Sequence, residues 1–266
     1  MNSAPQEDAA PSNVLVEYHE SVAYVTLNRP DQFNALSLAM LEDLRSLIAA
    51  LSTDTATRVV VIGGRGRAFC PGHDLKEILA HRTEAQLSML FETCCDVMLG
   101  LTKLPQPVVA RVQGIATAAG CQLVAACDLA VASSEAKFAT SGIDYGLFCA
   151  TPAVPVSRAL GRKHALELLL TGRFIDAQTA LDWGLVNRVV PSEALDAAVD
   201  EICSTLLAKP PAALAEGKRF FYDQIGLDMG SAYAQAAALL TQQALREEAR
   251  EGLTAFAEKR PPVWAR

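Results

Sequence analysis

Two segments of the chain place small residues where a strand turns, and both could present main-chain N–H groups to a ligand. Residues 68–76 read AFCPGHDLK, and Gly72 permits a close approach of the backbone there. Residues 114–123 read GIATAAGCQL, where a strand turns into a helix whose first N–H groups lack partners within the helix. If both turns meet at one point, they could donate two hydrogen bonds to a carbonyl oxygen that gains negative charge. Either segment alone is typical of an ordinary tight turn.

Other residues that could do chemistry show no matching pattern. His19, His81 and His164 lack metal-ligand spacing, so surface or capping roles are expected for them. The seven cysteines form no paired CxxC motif, and Cys121 and Cys149, near the two turns, are expected to be buried and inert thiols. The glycine-rich residues 63–66 do not match the GxGxxG pattern of dinucleotide sites. The sequence therefore predicts neither a metal nor a redox cofactor.

The composition restricts the class of protein. A chain of 266 residues, half of them apolar, can bury a large core without a metal or disulfide. A net charge of -7 argues against nucleic acid as a partner. No apolar run is long enough to cross a bilayer, and residues 1–13 contain no Arg and are expected to be a disordered tail. Reduced thiols favour a cytoplasmic protein.

The elements that must position the two turns alternate between strands and helices. Residues 14–18 and 21–27 alternate apolar and polar positions, which predicts a β-hairpin. Ser37 can cap the helix that follows. Further strands are predicted at residues 58–62, 108–112 and 129–132, and further helices at residues 83–101 and 118–126. This succession predicts an α/β core with parallel strand pairing.

The last third of the sequence is predicted to be mostly helical. One short interruption is expected at residues 185–190. Residues 231–259 are predicted to form one long helix, which would reach beyond its own core and pack on neighbouring subunits. The other predicted helices cover residues 153–160, 164–171, 177–183, 192–207 and 212–222.

The two turns, in this order and with Asn34-Ala35-Leu36 upstream, resemble the enoyl-CoA hydratase/isomerase (crotonase) family. The resemblance runs from about Val14 to Arg260. Within the family, the segment Gly72-His73-Asp74-Leu75 and the chain's ending look most like one animal branch with a poorly defined hydratase-like function. The resemblance implies a spiral of ββα units over residues 14–205 and a helical trimerisation region over residues 206–266, assembled as trimers or dimers of trimers.

The same resemblance implies a ligand and a site. The ligand would be an acyl-coenzyme A thioester, whose coenzyme A is part of the substrate, so that no separate cofactor is implied. The N–H groups of His73 and Ala119 would form an oxyanion hole for the thioester oxygen, and Lys76 and Lys259 would lie near the CoA phosphates. The substrate-binding positions carried over from the family are Gln32, Phe33, Ala35, Gly72, Asp74, Leu75, Lys76, Gly120 and Lys259.

The acid and base positions depart from the family pattern. Hydratases of the family carry two glutamates where this chain has Gln122 and Gly142. An amide can orient a water molecule but cannot accept its proton at neutral pH, and glycine can do neither. Asp144 is the first carboxylate that could substitute, although a solvated or turn-capping aspartate is the alternative. The His73 ring is a second candidate, unless only its main-chain N–H matters.

Three functions therefore remain open from the sequence. The first is an enoyl-CoA hydratase-like enzyme of acyl-CoA metabolism that stabilises a thioester enolate, with Gln122 positioning water. The second is a non-catalytic acyl-CoA-binding or regulatory subunit. The third is another reaction of the family, such as isomerisation, thioester hydrolysis or decarboxylation, with Asp144 as its acid or base.

Overall fold

The computed structural model describes residues 12–264 of the chain. Residues 1–11 of the expected disordered tail lie outside the described residues. Ser12 and Asn13, the last two residues of that expected tail, take part in the fold. The carbonyl of Asn13 accepts the Asn28 N–H at 2.8 Å, and its side-chain amide donates to Asp43 at 2.9 Å. Both contacts fix the entry into the first strand.

The described residues contain ten strands and eleven α-helices. The strands are β1 (Val14–His19), β2 (Val22–Leu27), β3 (Val59–Gly64), β4 (Ala68–Cys70), β5 (Val108–Val112), β6 (Ile115–Thr117), β7 (Leu129–Ser133), β8 (Lys137–Ala139), β9 (Ile175–Asp176) and β10 (Arg188–Val190). The helices are α1 (Leu38–Thr53), α2 (Leu75–Ala80), α3 (Glu84–Lys103), α4 (Ala119–Ala126), α5 (Ala150–Ala159), α6 (Arg162–Thr171), α7 (Ala177–Trp183), α8 (Leu195–Leu207), α9 (Pro211–Gln224), α10 (Met229–Ala244) and α11 (Glu247–Ala257).

The strands form two sheets. A six-stranded sheet has the order β1-β2-β3-β5-β7-β10, in which only the β1-β2 hairpin is antiparallel. A four-stranded sheet has the order β4-β6-β8-β9, with parallel pairing except between β8 and β9. The strand pairs β3-β4, β5-β6 and β7-β8 each contribute one strand to each sheet, and helices follow each pair. The predicted α/β spiral of ββα units is therefore confirmed.

The central strands are apolar throughout because both faces of the larger sheet are covered. Along β3, Val60 and Ile62 pack into the main core with α1 and α3, whereas Val59 and Val61 pack against α8. This alternation follows from the two-residue period of a strand. The smaller sheet has strands of only two or three residues, which show no such period in the sequence.

The predicted long helix over residues 231–259 is wrong. The helix ends at Ala244, and α11 begins at Glu247 after an extended Arg246 with φ -84° and ψ 154°. The Arg246 guanidinium donates to Glu216 of α9 at 2.6 Å, and Gln243 donates to the same carboxylate at 3.1 Å. This tertiary ion pair favours the bend at a place where the sequence has neither Gly nor Pro.

A buried ion pair fastens the C-terminal helices to the core. Lys218 of α9 lies 2.7 Å from Asp128 and also donates to the carbonyls of Leu101 and Gln106. Asp128 further accepts the Val108 N–H at 2.7 Å and the Tyr222 hydroxyl at 2.8 Å. Both carboxylate oxygens thus have partners, as a largely buried charge requires. Within residues 12–264, no helix is both long and apolar enough to cross a membrane.

Candidate functional site

The two turns that the sequence singles out lie side by side because the strands before them are parallel neighbours. Strand β4 pairs with β6, and Cys70 is opposite Ala116 in the register. Adjacent strands of a sheet are about 5 Å apart, and parallel strands end at the same edge. The chain leaves β4 toward Gly72 and His73, and it leaves β6 toward Ala118 and Ala119. The fold therefore brings the two segments together.

Two glycines allow the turns to touch. Gly72 has φ +99°, and a Cβ there would lie 3.1 Å from the main-chain nitrogen of Ala119. A Cβ on Gly120 would lie 2.0 Å from the carbonyl oxygen of Cys70, far inside van der Waals contact. A side chain at either position would push the first turn of α4 away from the end of β4.

The N–H groups of His73 and Ala119 are available to a ligand. Leu36 forms an isolated parallel bridge with His73, in which its N–H donates to Gly72 and its carbonyl accepts from Asp74. In such a bridge the N–H of the central residue points away from the partner strand. Ala119 is the first residue of α4, where helical N–H groups have no acceptor within the helix. Neither N–H has an acceptor among residues 12–264.

Ala118 has a strained backbone at the start of α4. Its φ is +49° and its ψ is -119°, a region that residues with a Cβ seldom adopt and that costs about 1–3 kcal/mol. Its own N–H donates to Ala139 at 3.0 Å, and its carbonyl accepts from Gln122 at 3.0 Å. The strain falls on Ala118, so Ala119 keeps a helical conformation and a free N–H although it carries a Cβ.

Gln122 lies one helical turn after Ala119 and is almost completely buried, at 2% exposure. Its side-chain oxygen has no hydrogen-bond partner among residues 12–264. Residues three apart lie on one face of a helix, and helical side chains lean toward the N-terminus. The amide therefore leans toward the turn that carries the free N–H groups.

The two nitrogens of the His73 imidazole are also buried. Neither makes a hydrogen bond of normal geometry in the described part of the chain, although the Leu36 main chain is close enough to the ring to oppose part of its pKa shift. The ring packs edge-on against Phe91 of α3, with 5.3 Å between ring centroids. Burial lowers the pKa of His73 from 6.5 to about 4, so the ring is neutral at pH 7. A neutral imidazole offers one donor and one acceptor.

Gly142 has no room for a side chain. A Cβ there would lie 2.6 Å from the Leu147 carbonyl oxygen and 2.8 Å from the Cys149 sulfur. A glutamate at this position would require a shift of the backbone, so a simple exchange of Gly142 cannot restore a second carboxylate.

Asp144 lies in a 3-10 turn at residues Ser141–Tyr145 and is exposed. Its carboxylate faces Gly172 at the end of α6, where a Cβ would lie 3.1 and 3.2 Å from its two oxygens. The surroundings are those of a solvated surface carboxylate. A role as acid or base for this residue stays a prediction.

Thiol chemistry has little support in this region. Burial raises the pKa of Cys121 to about 12, and burial also raises the pKa of Cys149. The nucleophilic form of a cysteine is the thiolate, which is scarce at neutral pH under these conditions. The cysteine side chains therefore fill space beside the two turns.

A polar network that the sequence analysis did not identify holds the His73 turn. The Asn34 side chain donates to the carbonyls of Arg65, Ala68 and Phe69 at 2.9–3.2 Å and accepts the Arg29 N–H at 3.0 Å. The Arg29 guanidinium donates to Ala35 and to Asp74. The only signal for this network in the sequence is the family-like segment at residues 34–36, because its partners are distant main-chain carbonyls.

Asp74, expected to be a substrate-binding residue, makes hydrogen bonds that stabilise the turn before α2. Its carboxylate caps α2 by accepting the N–H groups of Lys76 at 3.1 Å and Glu77 at 3.4 Å. It also lies 3.1 Å from the Arg29 guanidinium. With these partners the carboxylate fixes the turn that carries His73.

The other expected binding positions are mostly exposed. Gln32 and Phe33 are exposed in the segment after Pro30, and the Arg67 guanidinium lies 4.3 Å from the centre of the Phe33 ring. Leu75 and Lys76 are exposed on the first turn of α2, and Ala35 is buried. Lys259 is exposed just after α11, with φ +55°. No ion pair involves Lys76 or Lys259 among residues 12–264.

A largely apolar cleft of about 250 Å³ lies between the start of α1 and helices α2 and α3. Leu90, which lines the cleft, precedes Phe91 on the helix that contacts the His73 ring. The cleft has room for a small apolar group. Its other lining residues are Leu38, Glu77, Ile78, His81, Gln86, Leu87 and Met89.

Comparisons with known proteins agree with this architecture. A crystal structure described as enoyl-CoA hydratase from Mycobacterium smegmatis superposes with a TM-score of 0.93 and 51% identity, covering 95% of this chain and 98% of that chain. The crystal structure of human enoyl Coenzyme A hydratase domain-containing protein 3 gives a TM-score of 0.92 and 40% identity, covering 95% and 100%.

Sequence comparison leads to the same group. The rat protein named enoyl-CoA hydratase domain-containing protein 3, mitochondrial, is 41% identical over 258 residues, which are 97% of this chain and 86% of the rat protein. These relatives confirm the expected animal branch. The profile described as enoyl-CoA hydratase/isomerase matches residues 17–266. The chain therefore belongs to the enoyl-CoA hydratase/isomerase family.

Proposed function

We propose that the chain binds an acyl-CoA thioester with its carbonyl oxygen between the N–H groups of His73 and Ala119. The observation that carries the proposal is the contact of the two turns, where Gly72 packs against the main-chain nitrogen of Ala119. Two amide donors, aided by the dipole of α4, stabilise negative charge on a thioester oxygen. The apolar cleft beside α2 and α3 would hold the acyl chain, and Lys76 and Lys259 would meet the CoA phosphates.

The reaction that we propose is hydratase-like chemistry on an enoyl-CoA through an enolate. Gln122 would orient the attacking water with its side-chain amide. Because an amide cannot take the proton of that water, the proton would pass to Asp144 or to another group, and turnover would be slow. We propose no cofactor beyond the coenzyme A of the substrate.

A second candidate is acyl-CoA binding without turnover. It is favoured by the replacement of both family glutamates, and in particular by the lack of space for any side chain at Gly142. Other reactions of the family, such as isomerisation, thioester hydrolysis or decarboxylation, would need an acid or base, for which Asp144 is the residue to test. Retained turnover in Asp144→Asn would remove Asp144 from each of these mechanisms.

The test separates binding from turnover with one set of ligands. Thermal shifts are measured with butyryl-CoA and with its thioether analogue butyl-CoA, which lacks only the carbonyl oxygen. The proposal predicts a larger stabilisation by the thioester, and equal shifts would contradict an oxyanion hole. Mass spectrometry of a panel of enoyl-CoA and saturated thioesters incubated with the protein then reports any product. If the thioesters bind but no product forms, acyl-CoA binding without turnover is the function supported.

We also propose a homotrimer or a dimer of trimers, as the family resemblance implies, and a cytoplasmic location from the cysteine usage. The name of the rat relative includes the word mitochondrial. Fractionation of cells that express the chain would decide between the two compartments.

A further inference from the structure

A pair of hydroxyl groups lies directly before the strained residue Ala118. The Thr117 hydroxyl is 2.8 Å from the Ser141 hydroxyl, and either of them can be the donor. Thr117 is the last residue of β6 and is buried, at 7% exposure. Ser141 lies just beyond the end of β8, which pairs in parallel with β6. The hydroxyl pair therefore joins the end of one strand to the segment that follows its neighbour.

The segment that contains Ser141 is held in place on both sides of that residue. The Thr140 hydroxyl before it donates to the buried carbonyl of Leu168 at 2.8 Å. After it, the carbonyl of Gly142 accepts the Leu147 N–H at 3.0 Å, and Gly142 is so closely packed that it has no room for a Cβ. Ser141 is thus a fixed point for its hydroxyl partner.

The backbone of Ala118 decides where the N–H of Ala119 points. The carbonyl of Ala118 and the N–H of Ala119 belong to one planar peptide unit, so a rotation of this unit turns both groups. Ala118, with φ +49° and ψ -119°, keeps its strained conformation only while the surrounding contacts hold it there. A relaxation in ψ would rotate that peptide unit, and a relaxation in φ would break the 3.0 Å hydrogen bond from the Ala118 N–H to Ala139. The direction of the Ala119 N–H therefore depends on fixed neighbours of Ala118.

We propose that Thr117 and Ser141 are positioning residues, whose hydrogen bond keeps Ala118 strained and the N–H of Ala119 directed at the thioester oxygen. This role rests on the proposed binding of a thioester at the two amides. Neither hydroxyl has to touch the ligand. Loss of either one frees the end of β6 from Ser141 and lets the peptide before Ala119 rotate. The protein then loses a hydrogen bond to the carbonyl oxygen, whereas its other contacts with the ligand stay.

The experiment titrates the full-length protein with butyryl-CoA and with its thioether analogue butyl-CoA in a calorimeter. The ratio of the two affinities isolates the carbonyl oxygen, because the ligands differ in nothing else. The variants are Thr117→Val, in which a methyl group replaces the hydroxyl, Thr117→Ser, which keeps the hydroxyl, Ser141→Ala, and the double variant Thr117→Val with Ser141→Ala. Ser133→Ala is the matched control, because it breaks another pair of hydroxyls, Ser133 and Ser192, which are 2.7 Å apart at the end of β7.

We expect the wild type, Thr117→Ser and Ser133→Ala to bind butyryl-CoA about tenfold more tightly than butyl-CoA, the effect of one good hydrogen bond. Thr117→Val and Ser141→Ala should each reduce this ratio to about threefold or less and leave the affinity for butyl-CoA unchanged. The double variant should match the single variants, because both changes remove the same interaction. A role in stability alone would lower the melting temperature and leave the ratio at its wild-type value.

A wild-type ratio in both Thr117→Val and Ser141→Ala, with melting temperatures that show folded proteins, would overturn the positioning role alone, because recognition of the carbonyl oxygen would persist. If the valine variant does not fold, Ser141→Ala decides by itself, since it removes the same hydrogen bond from the other side. A wild type that binds butyryl-CoA and butyl-CoA equally would instead contradict the proposed function, and the positioning role with it.

Discussion

His73 contributes two different groups to the candidate site, and each can be tested separately. Its main-chain N–H faces away from Leu36, whereas its ring is buried against Phe91. The sequence predicted a role for the main-chain N–H through the family resemblance, and this role stays a prediction. Burial of both ring nitrogens could not be read from the sequence, because the covering residues come from a distant helix.

The His73 ring should make stability depend on pH. Burial lowers its pKa from 6.5 to about 4, so below pH 6.5 the unfolded chain binds a proton that the folded chain does not. Stability should therefore fall as the pH decreases from about 6.5 to 4, by roughly 2 kcal/mol at pH 5. Urea unfolding at pH 7 and pH 5 measures this loss.

In this unfolding experiment, His73→Phe should reduce the pH-dependent loss, and His164→Phe is the control. An unchanged pH dependence in His73→Phe would contradict a buried, neutral ring.

Gln122→Glu should increase the rate of hydration of crotonyl-CoA by roughly a hundredfold or more, because a carboxylate can accept the proton that an amide cannot. A second carboxylate cannot be added at position 142 without a shift of the backbone, because a Cβ on Gly142 would lie 2.6 Å from the Leu147 carbonyl oxygen. The decrease of enoyl absorbance with time measures the rate, and Gln122→Met provides the matched control. A Glu variant that binds the ligand but is no faster than the Met variant would refute this role.

Among the helices and strands, those whose apolar residues recur with a clear period were predictable. The hairpin, α1, α3 and the strands of the larger sheet follow their hydrophobic patterns, and Ser37 caps α1 as predicted. The strands of the smaller sheet and the short helix α2 could not be predicted, because elements this short do not show a hydrophobic period in the sequence. Yet β4 and β6 of that sheet are the strands that bring the two turns together.

Helix α9 should depend on its buried ion pair. Lys218→Met would leave the Asp128 carboxylate buried without a countercharge, which costs roughly 3–5 kcal/mol. Chemical denaturation should show this loss, and the double variant with Asp128→Asn should regain part of it. Arg250→Met, which removes an exposed pair with Glu247, is the control and should change stability by less than about 1 kcal/mol. Equal effects of both single variants would contradict the anchoring role.

In a single chain, apolar side chains on the last three helices and on the bend between α10 and α11 are exposed to solvent. Leu245 and Phe256 are 83% and 85% exposed, and α9 and α10 contain no buried residue. Isolated apolar side chains are common at surfaces, but a large exposed group of them marks an interaction site. The proposed homotrimer would cover this group.

Light scattering tests the assembly. The wild type should have three or six times the chain mass of 28.4 kDa. Phe256→Asp with Leu245→Asp should shift it toward the mass of one chain, because burying the new charges would be costly. Tyr18→Asp, which changes an exposed ring on β1, is the control. A wild type that remains a single chain at micromolar concentration would contradict the trimer.

The family and the general architecture were predictable because the motifs of the two turns are specific and the family resemblance spans most of the chain. The bend between α10 and α11 was not, since it depends on an ion pair between residues thirty positions apart, Glu216 and Arg246. Nor did the sequence indicate that Gly142 is closely packed. Both features arise from tertiary contacts.

A crystal structure of the protein with bound butyryl-CoA tests the central claim most directly. The saturated chain cannot be hydrated, so the complex should persist. We predict that the thioester oxygen lies within about 3 Å of the main-chain nitrogens of both His73 and Ala119. A thioester oxygen that contacts neither amide, or a ligand bound at another place on the molecule, would contradict it.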